Sequence, residues 1–132
     1  MKASQLFKHA FILLIIIGFL DFFANTFYLY WTIWWSDLLL HFLSGVCVAM
    51  GGISVWFFIF SKKETNILET LFVGMVWVVL VGLVWEIFEL HFGATFLSDG
   101  QIYVVDTISD LLMDISGGFL GGVYAIKLLK RD

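Results

Sequence analysis

Apolar residues run along this chain in four blocks of about 20, the length of helix that crosses a hydrocarbon core roughly 30 Å thick. The pattern predicts four membrane-spanning helices over residues 7–29, 37–60, 67–91 and 105–129. Ser36 stands where it can cap the second helix by accepting from the free amides of its first turn. The sequence SKKETN, Ser61 to Asn66, is a strongly polar connection, whereas HFGATFLSDGQ is weakly polar, punctuated by glycine and suited to the membrane interface. No repeat, low-complexity tract or soluble domain interrupts the series, so a single transmembrane domain over residues 1–132 is expected.

Composition strengthens this picture. Of 132 residues, 61% are apolar and 19% aromatic, and a water-soluble fold of this length has no interior able to hold them. The lone cysteine, Cys47, lies inside an apolar block, which rules out an intrachain disulfide and reads as a small buried side chain. Lys2 and Lys8 precede the run FILLIIIGFL as they would in a signal peptide. No small-x-small cleavage pattern follows, and the run continues through Asp21 into FFANTFYLYW, so an uncleaved first span is expected.

Charge then orients the spans. Every lysine and arginine, namely Lys2, Lys8, Lys62, Lys63, Lys127, Lys130 and Arg131, falls on one side of a four-span topology. Basic residues are retained in the cytoplasm, so the expected fold is an all-α, integral-membrane four-helix bundle with both termini cytoplasmic. The expected location is a bacterial or archaeal cytoplasmic membrane. The run YLYWTIWW, Tyr28 to Trp35, then lies at the outer interface, where amphipathic rings favour the headgroup region.

Eight carboxylates, Asp99 in the third connection included, fall in the opposite half. Residues three or four apart share a helix face, so Asp37, His41, Ser44 and Gly45 make one stripe. Gly82, Glu86 and Glu89 make a second, and Asp106, Asp110 and Asp114 a third, with Thr107 beside Asp110. Asp21 sits with Asn25 in the outer part of the first span, while Asp99 and His91 read as surface residues. Ionisable groups facing lipid would be unpaired in hydrocarbon, so the three stripes are expected to converge inside the bundle. Carboxylates crowded at low dielectric need protons or cations to neutralise them, and no basic side chain is near. An oxygen-rich set with one imidazole suits a divalent cation: Zn, Mn, Mg or Fe. His41, Glu86, Asp106 and Asp110 are the expected ligands, with Asp37 orienting His41 and Glu89 or Asp114 as general base. Two ions bridged by acids also fit such a carboxylate-lined bundle.

Small residues offer close helix approach. Gly117 with Gly121, Gly118 with Gly122, and Gly45 with Ala49 and Gly52 make faces that either mesh within one bundle or join a homodimer.

Three segments, DLLLHFLSG (Asp37 to Gly45), WEIFE (Trp85 to Glu89) and VVDTISDLLMDISGGFLGG (Val104 to Gly122), occur in the order that resembles the VanZ-like superfamily of small membrane proteins, and within it the YjdF-type branch. The resemblance implies a four-to-five-span inner-membrane protein of the cell envelope, with Asp37, His41, Glu86, Asp106, Asp110 and Gly117 at the patterned positions. This chain departs from the pattern at Leu38, where many such sequences have lysine, at Glu89, where glutamine is frequent, and in lacking an arginine ahead of the last aspartates. Those losses leave the acids more dependent on a cation.

Three functions fit. The first is a metal-dependent hydrolase or transferase acting on a lipid or lipid-linked envelope substrate from the outer leaflet. The second is a non-catalytic membrane partner or lipid-binding protein; the third is a proton or cation transporter component. The bilayer is the expected partner, and no nucleic acid is expected.

Overall fold

In the computed structural model the described residues are 2–61, 64 and 66–130. Four long helices, α1 (Lys2–Thr26), α3 (Ser36–Ile59), α4 (Ile67–Phe92) and α5 (Gln101–Lys130), are long and apolar enough to cross a membrane. A short helix α2 (Leu29–Thr32) and a 3-10 turn (Leu97–Asp99) complete the described secondary structure, which contains no strand. The helix α3 is central and packs against α1, α4 and α5; α4 also packs on α5.

Side chains such as Phe11, Phe19, Phe22, Leu68, Phe72 and Val84 point outward over most of this surface. In water that exposure would be ruinous, and in lipid it is the expected covering of a membrane bundle. The lysine end is closed by an apolar cluster of Ala3, Leu6, Ala10, Met50, Ile53, Phe57 and Ala125. Lys2 Nζ donates to the Leu129 carbonyl at 3.5 Å, so the start of α1 and the end of α5 lie at this pole. Lys62, Lys63 and Arg131, three of the residues on which the expected orientation rests, lie outside the described residues.

The boundaries differ from expectation in three places. The first span starts at Lys2 and stops at Thr26, because Tyr28 adopts a left-handed conformation (φ 56°) that ends the helical run. The last begins at Gln101, four residues early, directly after the turn at Gly100. Ser36 does not cap its helix: its hydroxyl donates to the carbonyls of Ile33 (2.8 Å) and Leu29 (3.1 Å), tying the helix to the aromatic connection behind it. Asn66 caps α4 instead, accepting from the Glu69 amide at 3.2 Å, and Gly93 (φ 71°) ends that helix in a conformation few other residues adopt.

The glycine faces mesh within a single chain. A Cβ at Gly45 would collide with the carbonyl oxygen of Asp114, and one at Gly117 with that of Phe42. One at Gly121 would stand 2.6 Å from the carbonyl oxygen of Val46. These contacts bring α3 and α5 backbone to backbone, the approach that small residues permit and that dispersion rewards in lipid. Gly52 faces the Trp77 ring and Gly118 faces Val78, so α4 is seated by the same device.

Candidate metal centre

Where α3 and α5 cross so closely, the acidic stripes meet. His41 is buried on α3 between three aspartates. Its Nδ1 lies 3.2 Å from Asp114 Oδ1, a hydrogen-bonding distance. Its Nε2 lies 3.7 Å from Asp110 Oδ2 and 3.8 Å from Asp37 Oδ1, beyond hydrogen bonding. An ionised carboxylate only accepts, so Nδ1 is the donor toward an ionised Asp114, and Nε2 is the nitrogen turned to the other two acids. Two ligands on one ion at roughly 2.0–2.2 Å are separated by about 3–4 Å, the spacing found around Nε2.

A second triad adjoins the first. Asp37, His41 and Asp110 each present a ligand atom with all three within 4.8 Å of one another, and Glu86, Glu89 and Asp110 do the same. Thr107 donates to Glu86 Oε2 at 2.8 Å, and Trp85 Nε1 donates to Glu89 Oε1 at 3.0 Å. These bonds orient both glutamates. Asp110 is 1% exposed and its Oδ1 has no hydrogen-bond partner; Glu86 is 6% exposed and its Oε1 has none either. A buried polar atom without a partner costs free energy on the order of 1–3 kcal/mol, more if charged, so these oxygens mark a place for a positively charged or donating group.

Among the described residues the ion pairs of these acids involve His41 alone. No described lysine reaches them. The fit to a divalent cation is therefore good by residue type, spacing and unsatisfied oxygen.

Several residues stand elsewhere than expected. Asp37 does not orient His41: the helical spacing of four places it on the Nε2 side, and Asp114, from another helix, takes the Nδ1 side. Asp114 is thereby a hydrogen-bond partner of the imidazole. Asp106 is exposed and outside both triads; it lines an open recess of about 560 Å³ together with Asp37, Gln101, Ser109 and apolar side chains such as Trp34, Ile102 and Val105. Glu89 is half-buried beside Glu86. Asp21 accepts from Asn25 Nδ2 at 3.2 Å and from the Tyr30 hydroxyl, away from both triads. Trp85 and Tyr30 hold acids through bonds that no motif in the sequence marks; the local signal for Trp85 is that it precedes Glu89 by one helical turn. His9 pairs with the Tyr124 hydroxyl at 2.9 Å, apart from both triads.

Residues 2–131 match the family described as "Predicted membrane protein (DUF2238)". The chain belongs to this family. No curated protein and no solved structure matches it. Membership in the DUF2238 family agrees with the four apolar helices and makes this a membrane protein.

Proposed function

We propose that this protein binds a divalent metal within the membrane and uses it to hydrolyse or transfer a group on a lipid or lipid-linked envelope substrate. The observation that carries the reading is the divided environment of His41, with Asp114 on Nδ1 and Asp37 and Asp110 at 3.8 and 3.7 Å on Nε2. That arrangement of an outer carboxylate holding a ligating imidazole is a recurrent feature of metal sites.

His41, Asp37 and Asp110 would hold the cation. Once bound, a cation of this kind supplies Lewis acidity, polarising an ester or phosphoryl oxygen and easing deprotonation of water. The chain's own groups do the rest. Asp114 fixes the ring, and Thr107 and Trp85 hold Glu86 and Glu89 in place beside these ligands. The recess beside Asp37 is lined by both polar and apolar side chains, a mixture that suits a lipid headgroup with the start of an acyl or prenyl chain.

Passage of ions across the bundle fits less well. Beyond Asp114 the helices close through Gly117 and Gly121 against the Phe42 and Val46 carbonyls, and the apolar cluster follows. A site open at one pole suits chemistry rather than transport. The distribution of basic residues supports an outward-facing site, with both termini cytoplasmic.

The test is metal analysis of the purified full-length protein beside His41→Ala, followed by incubation with lipid extracts and product analysis. Stoichiometric metal in the wild type, absent from the variant, and a metal-dependent lipid product are expected. Wild-type protein without metal after exposure to Zn, Mn, Mg and Fe would overturn the reading.

A further inference from the structure

Asp110 is the one residue common to both triads. We infer that its carboxylate bridges two cations, one held with Asp37 and His41 and the other with Glu86 and Glu89. This rests on the metal reading above and extends it from one ion to a pair.

Three observations converge. Asp110 Oδ2 faces His41 Nε2 at 3.7 Å, while Oδ1 is buried without any partner, so the two oxygens have separate surroundings, as a bridging carboxylate requires. Glu86 and Glu89 are each pinned by a single donor on one oxygen, Thr107 on Glu86 Oε2 and Trp85 on Glu89 Oε1. The other Glu86 oxygen, buried and unpartnered, is left for a cation. Every candidate ligand of the second triad is thus buried or half-buried, and both glutamates are oriented from outside the site, the pattern in which outer partners set ligands for metal.

Charge gives the third argument. Asp37, Asp110, Asp114, Glu86 and Glu89 bring five carboxylates to one region, with His41 as the imidazole among them. A single divalent cation offsets two of those charges; a pair offsets four. Two-metal centres place their ions about 3.5–4 Å apart, a span that one carboxylate bridges. The two positions also differ in chemistry. Imidazole with two carboxylates suits Zn, Fe or Mn, and three carboxylates suit a hard cation such as Mg or Mn, so Mn satisfies both.

The experiment uses full-length protein in nanodiscs, stripped with chelator and reloaded with Mn(II), read by Mn-to-protein stoichiometry and by electron paramagnetic resonance. Two Mn per chain with a spin-coupled spectrum are expected. Glu86→Gln should retain one Mn with an uncoupled spectrum, and Asp110→Asn should abolish the coupling. Should Asp110→Asn fail to fold, Glu86→Gln still tests the pair. Two uncoupled ions in the wild type would overturn the bridge. One Mn per chain would overturn the pair while leaving the proposed function standing, and no Mn, Zn, Mg or Fe would overturn both.

Discussion

The carbonyl oxygen of Asp114 occupies the space that a side chain at Gly45 would need. The same aspartate sends its carboxylate to His41 Nδ1 and over Gly82, where an added Cβ would stand 3.0 Å from Asp114 Oδ2. Helix packing and site chemistry therefore meet in one residue. Without glycine at 45 the two helices would part, and the imidazole would lose its partner.

Gly45→Ala should accordingly destabilise the bundle by about 1–3 kcal/mol, the usual cost of overpacking. Gly51→Ala on the same helix is the control, since its added methyl would meet no atom of another helix within 4 Å. Thermal or denaturant unfolding in mild detergent measures both. Equal loss in the two variants would show that general helix effects, not the contact with Asp114, are being read.

Removing the outer partner should weaken the metal site without erasing it. Asp114→Asn is expected to lower metal affinity about 10–100-fold, the range for such partners, and His41→Ala to lower it further. Competition with a chelator of known affinity gives the comparison. Asp106→Asn should stay close to wild type because Asp106 lies outside both triads. A large loss there would move the site toward the recess.

Metal binding should weaken as pH falls. Each ligand must shed its proton to coordinate, so protons compete with metal at His41 and at every carboxylate, and affinity rises with pH through the range in which these groups titrate. Titrating metal at several pH values and counting protons released on binding checks this. Affinity independent of pH would mean that the ligands are not the ones named.

Tyr30 lies on α2, outside the spans, where burial, and after it the hydrogen bond to Asp21, pushes its phenol above the ordinary tyrosine range. The folded protein thus retains a proton that the unfolded chain releases. The resulting stability is complete below the ordinary phenol pKa and is lost as pH rises toward the folded value. Ultraviolet titration should show a phase above the ordinary phenol range that is missing from Tyr30→Phe. If that phase survives in the variant, it belongs to another tyrosine.

Reporter fusions should place both the amino and carboxyl ends in the cytoplasm. Activity of a periplasm-dependent reporter at either end would reverse the orientation and turn the acidic pole inward.

Much of this was legible along the chain. Apolar block length predicts four helices because lipid thickness is constant, and helical periodicity predicts each acidic stripe because three or four residues separate neighbours on one face. The spacing of Gly117 and Gly121 marked a close-packing face. Local order also misled. Asp37 is one turn from His41 and so looked like its orienting partner, and Ser36 looked like a cap, since both inferences use neighbours in sequence only.

What the sequence determined by itself is therefore everything that depends on local repeat and on solvent: the number of spans, the faces that carry acids, and the separation of basic from acidic ends. The tertiary structure alone decided which nitrogen of His41 meets which aspartate, that Asp110 belongs to two groups of ligands while Asp106 belongs to neither, and that the glycine faces are used within one chain. The physical reason is that a helix specifies the direction of its own side chains, whereas the rotation and depth of one helix against another arise from close packing summed across the whole bundle.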